Sequence, residues 1–184
     1  MGRDKARLPF GDQTFLSHLI SIYSQAFPVY VSLSVPGQFP HPGARELVDL
    51  RPEQGPLAGL ETALLQLDAE AVFVTATDLP FGSVSLARTL LNHLENHDAC
   101  VIRRRDGQIE TAFGVYRKTC LPVLQSLLDQ GYRAFRRLLE GVDVCWVAES
   151  ELPEFDLSRI LMNVNTPECY QQMIDELENE SRNE

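Results

Sequence analysis

The chain of 184 residues is 44% hydrophobic and carries 16 Lys plus Arg against 26 Asp plus Glu, a formal net charge of −10. That supplies apolar material for one domain with a real core. The acidic balance argues against binding to nucleic acid or to anionic membranes, since both are held mainly through Lys and Arg. We expect neither a secretory leader nor a membrane-spanning segment. Cys100, Cys120, Cys145 and Cys169 form no CxxC pair and no Cys/His cluster with zinc spacing. They read as buried, reduced thiols of a cytoplasmic protein.

In chain order, Phe15, Leu19, Ile22, Tyr23 and Ala26 share one helical face, and Pro28 is its stop. VYVSLSV (29–35) is a strand ending near Pro36, QFPHPG (38–43) a loop, and ELVD (46–49) a short strand. Residues 57–67 predict a helix entered through Gly55-Pro56, with proline in its first turn. AVFVTAT (71–77) is a continuous apolar strand of the type buried on both faces of a parallel sheet. A helix follows over 83–96. Strands at ACVIRR (99–104) and IETAFGVY (109–116) flank Asp106-Gly107, a tight hairpin signal. Helices over 121–129 and 134–140, a strand at VDVCWV (142–147) and a closing helix over 167–178 complete the pattern. Asp175, Glu176, Glu178 and Glu180 make the last helix end acidic and solvated. This alternation predicts a single α/β domain over 1–184, with a mostly parallel sheet, helices on both faces and some antiparallel edge. Ligands of such sheets bind beyond the carboxyl ends of the strands.

Several side chains are candidates there. Asp78 lies just past AVFVTAT, where a lone carboxylate suits Mg²⁺; capping the next turn is the competing role. Asp49 repeats that position after ELVD, where an acidic loop residue is also common. GPLAG (55–59) opens a helix whose free N–H groups attract phosphate, with Gly55 and Gly59 permitting close approach. Lys5, in Gly2-Arg3-Asp4-Lys5, offers phosphate a point charge, or else belongs to a solvated terminus. In Asn163-Val164-Asn165-Thr166-Pro167-Glu168, Thr166 and Pro167 fit a helix start, and the two Asn side chains alternate around Val164. His93 and His97 do not form HExxH and read as a solvated helix face. No Ser/His/Asp arrangement suggests a hydrolase.

The order of these motifs carries more than any one of them. MGRDKARLPFG (1–11), VD (48–49), GPLAG (55–59), TDLPF (77–81), GxR (131–133) and NVNTPE (163–168) resemble the successive motifs of the molybdenum cofactor guanylyltransferases, across essentially the whole chain. The resemblance implies a Rossmann-like three-layer nucleotidyltransferase fold and Mg²⁺-dependent transfer of GMP from GTP to molybdenum-molybdopterin. It implies that Lys5 contacts the GTP phosphates, that Asp49, Gly55 and Gly59 line the nucleotide site, and that Asp78 binds the metal. Asn163, Asn165 and, as a looser match, Arg133 fall on the pterin side. Molybdoenzyme maturation proteins are the expected partners.

Two departures accompany the resemblance. Family members have a strand and an LAGGxSxR-like segment before the MGxDK motif, so the expected true start lies upstream of Met1, and the strand so supplied would lie in mid-sheet. Ser32 stands where the family often has Asn, and a hydroxyl replaces only part of an amide's hydrogen bonding. A non-catalytic cofactor carrier and a nucleotidyltransferase for another acceptor remain alternatives.

Overall fold

The structure, a computed structural model, describes residues 5–181. After a 3-10 turn at Lys5–Arg7, β1 (Pro9–Phe10) and β2 (Gln13–Thr14) form a small antiparallel hairpin that no periodicity announces. Thr14 caps α1 (Phe15–Tyr23) by accepting from the Ser17 N–H. The helix stops short of Ala26. Next come β3 (Tyr30–Leu33), β4 (Arg45–Val48), α2 (Pro56–Gln66), β5 (Ala71–Thr75) and α3 (Val84–His93). Ser83 caps α3 by accepting from the Leu86 N–H, and its own N–H donates to the Tyr23 hydroxyl. β6 (Ala99–Arg103), β7 (Ile109–Arg117), α4 (Leu121–Asp129), α5 (Phe135–Leu139), β8 (Val144–Ala148), α6 (Leu157–Ile160) and α7 (Pro167–Ser181) follow. Thr166 caps α7, accepting from the Cys169 N–H at 3.2 Å.

The strands form a four-stranded sheet in the order β5-β7-β6-β8 and a separate parallel pair, β3-β4. β7 is antiparallel to both β5 and β6, and β8 is parallel to β6. Three of the four strands therefore run one way, as expected of a mostly parallel sheet. The antiparallel member is internal, however, and not at an edge. The Asp106-Gly107 turn lays β7 beside β6, and β7 is long enough to pair with β5 along its other side.

Residues alternate between the faces of this sheet, as the two-residue period of strands requires. Val72, Val74, Ala99, Val101, Tyr116, Val144 and Trp146 pack under α2, α4 and α5. Phe73, Cys100, Ile102, Phe113, Val115, Cys145 and Val147 pack under α3 and the segment 152–161. The result is three layers, and each large side chain fully buried there contributes about 1.5–3 kcal/mol. β5 corrects the expectation of a strand buried on both faces. All five of its residues are only half-buried, because β5 ends the ladder and no described strand pairs beyond it. α2 touches β3, β4 and β5 and so bridges the two sheets.

Cys100 and Cys120 are buried, Cys145 and Cys169 half-buried, and all four are free. His97 is not on the helix expected for it. α3 ends at His93, and the His97 ring meets Asp143 at 3.0 Å in the loop that follows. Among the described residues no helix is long and apolar enough to cross a membrane.

Candidate active site

Two groups of side chains gather at loop ends of the sheets. The first centres on Asp78, three residues past the end of β5. Leu79 is buried beside it, and the Asp78 carbonyl accepts from the Val164 N–H at 2.9 Å. Val164 is fully buried, so the chain is pinned there and its neighbours Asn163 and Asn165 face solvent. Lys5 Nζ donates to Asp78 Oδ2 at 3.2 Å and also to Asn165 Oδ1. The structure thus unites Lys5, Asp78 and Asn165. Asn163 joins this turn through its carbonyl, which accepts from the Asn165 N–H. Residues 1–4 of the opening motif lie outside the described residues. The side chains of Lys5 and Asp78 are 29% and 24% exposed, so the pair is half-buried, and its contribution to stability is about 1 kcal/mol.

The second group lies where β3, β4 and α2 meet. The Asp49 N–H donates to the Leu33 carbonyl at 2.9 Å, and Ser32 Oγ donates to Asp49 Oδ1 at 2.6 Å. Gly59 faces both. A Cβ added there would collide with Ser32 Oγ and lie 3.6 Å from Asp49 Oδ1. Gly55 opens α2 with φ 73° and ψ −169°. Arg133, expected on the pterin side, packs on Gly55: a Cβ there would sit 3.3 Å from Arg133 Cβ.

Burial pushes the Asp49 carboxyl up, opposed by the Ser32 hydrogen bond. A carboxyl raised in the folded state favours the protonated protein. The penalty on the ionised form is absent below the unfolded value near about pH 4 and complete above the raised one. Asp49→Asn should therefore keep or raise Tm at neutral pH, with the difference fading towards about pH 4. Calorimetric scans at both pH values check this, and a lower Tm at neutral pH would contradict it.

Among the described residues, no three His, Cys, Asp or Glu side chains converge to hold a metal. Arg51, Glu61 and Thr62, which brace the Asp49 loop, escaped the sequence reading. Their one sign is a carboxylate at position 61 among the apolar residues of α2; it is 2% exposed.

Comparison with known proteins adds the family. Residues 1–146 match the MobA-like NTP transferase domain. The chain is 31% identical over 175 residues to a probable molybdenum cofactor guanylyltransferase of Carboxydothermus hydrogenoformans, covering 95% of this chain and 88% of that one. The molybdopterin-guanine dinucleotide biosynthesis protein A of Archaeoglobus fulgidus shares the fold, with a TM-score of 0.85 at 21% identity over 97% of this chain and 92% of that one. A Mycobacterium tuberculosis protein crystallised with manganese gives a TM-score of 0.66 at 18% identity, over 93% and 91%. Match, identity and shared three-layer architecture agree, and the chain belongs to the MobA-like NTP transferase family.

Proposed function

We propose that the protein transfers GMP from GTP to molybdenum-molybdopterin, releasing pyrophosphate and forming molybdopterin guanine dinucleotide. The observation that carries this is the Lys5–Asp78–Asn165 cluster beyond β5, in a chain 31% identical to a probable molybdenum cofactor guanylyltransferase. An oxygen of the pterin's terminal phosphate attacks the α-phosphorus of GTP. The bond to the bridging oxygen breaks, and its electrons leave with pyrophosphate. Two anions must approach, so positioning and charge neutralisation dominate.

Lys5 brings a compact ammonium to the triphosphate. Asp49, Gly55 and Gly59 line the nucleotide side, where α2 directs its free N–H groups at an anion. Asn163 and Asn165 bind the pterin by hydrogen bonds, and Arg133 adds a cation from beside Gly55. A single half-buried carboxylate next to an amide oxygen suits Mg²⁺, which takes one or two protein oxygens and completes its shell with phosphates and waters. Bound at Asp78, such an ion would neutralise charge building on the phosphates. The manganese complex of the fold relative supports a divalent cation. The four free cysteines agree with a cytoplasmic setting, from which the product passes to molybdoenzyme maturation proteins.

The test supplies GTP, Mg²⁺ and molybdenum-molybdopterin and follows labelled GMP. One pyrophosphate should appear for each dinucleotide formed. Pterin binding with no GTP binding and no transfer would establish the carrier reading in its place.

A further inference from the structure

The two residues that follow Asp49 are braced from α2. Thr62, fully buried, uses its hydroxyl twice. It donates to the Ala58 carbonyl at 2.8 Å and accepts from the N–H of Leu50, the residue after Asp49, at 2.9 Å. The first bond is ordinary for a helical threonine; the second reaches out of the helix to a strand-exit loop. One residue further on, Arg51 Nε donates to Glu61 Oε2 at 3.0 Å, and its Nη1 donates to Asp129 Oδ1 at 2.6 Å. Glu61 is 2% exposed, and a buried carboxylate is costly unless it is paired. Two adjacent residues of α2 thus grip the two residues that follow Asp49. Ala58, whose carbonyl Thr62 engages, precedes Gly59, the residue over which the Asp49 carboxylate sits.

We infer that Thr62 and the Glu61–Arg51 pair are positioning residues for Asp49, fixing its carboxylate over Gly59 so that it meets the nucleotide at a set distance. This rests on the GTP reading above. Without the brace, the loop keeps its β-sheet bond from Asp49 N–H to Leu33 O but gains freedom beyond it. A misplacement of about 1 Å can cost a catalytic site about a hundredfold.

Thr62→Val removes the hydroxyl at nearly constant volume, Thr62→Ser restores it, and Arg51→Ala, made together with Glu61→Gln so that no buried charge is left unpaired, breaks the pair from a side chain 28% exposed. KM for GTP should rise about three- to tenfold in Thr62→Val and in the Arg51→Ala, Glu61→Gln double variant. KM for the pterin substrate should stay unchanged, and Thr62→Ser should stay within twofold of wild type. In an Asp49→Asn background, the effect of Thr62→Val on GTP KM should vanish, because no carboxylate is left to position. The same rise in both backgrounds, or a fall in Tm with no change in KM for GTP, would assign the brace to folding alone and overturn the inference. Should Thr62→Val not fold, the Arg51→Ala, Glu61→Gln double variant in both backgrounds decides by the same criteria. A wild-type protein that binds no GTP would instead overturn the functional reading, and the inference with it.

Discussion

Asp78→Ala should lower kcat for GMP transfer by about 10³-fold or more and leave the fold intact. Charge stabilisation by a bound cation amounts to several kcal/mol in the transition state. At about 1.4 kcal/mol per factor of ten, a loss of about 4 kcal/mol accounts for the effect. Stability responds differently. The Asp78 side chain is 24% exposed and its ion pair with Lys5 is half-buried, so its removal should cost about 1 kcal/mol. In a protein of this size that moves Tm by roughly 2–4 °C. Single-turnover kinetics and calorimetry on the same preparation separate the two effects. Adding Lys5→Ala to Asp78→Ala should slow the reaction by much less than the two losses multiplied, because the two side chains serve one charge cluster and do not act independently. Activity within threefold of wild type in Asp78→Ala would remove the carboxylate from the chemistry.

The parts of the fold legible in the sequence are those with local signatures. Proline at the start of α2, Ser83 before α3 and Asp106-Gly107 between β6 and β7 are each written in a few consecutive residues. The order of the strands is not. β7 lies between β5 and β6 because Phe113 to Arg117 pair with residues some forty positions earlier, and no periodicity within β7 reveals a second partner. The two-residue strands β1 and β2 and the four-residue α6 fall below the length at which a period is visible. The site divides in the same way. Position beyond an apolar strand singles out Asp78, but Lys5 is 73 residues from Asp78 and 160 from Asn165. Only the order of motifs shared with a family connects them. The Arg51–Glu61 pair belongs to neither category, and the buried carboxylate becomes intelligible only once its partner is seen.

Gly55→Ala should destabilise the protein by about 1–3 kcal/mol, a Tm loss of roughly 2–12 °C at this chain length. The backbone at Gly55 has φ 73° and ψ −169°, a combination essentially confined to glycine. A methyl group there also presses on Arg133, 3.3 Å from its Cβ and 3.6 Å from its carbonyl oxygen. Only the Cβ contact is tight, and that atom moves only with the Arg133 backbone; 3.6 Å to the carbonyl oxygen is ordinary contact. Gly55→Asn separates backbone strain from simple bulk. Asn tolerates the left-handed helical region, but ψ of −169° lies outside that region, so Asn should be as costly as Ala. Relief of the strain would have to rotate the first turn of α2, carrying its N–H groups and Arg133 away from their present facing. The loss in kcat/KM for GTP should therefore persist at temperatures where the variant is fully folded. Thermal scans of both variants, with kinetics about 15 °C below each Tm, give the result. An unchanged Tm in Gly55→Ala would mean that the α2 entrance adopts a different backbone, and would take from Gly55 its place in the nucleotide site.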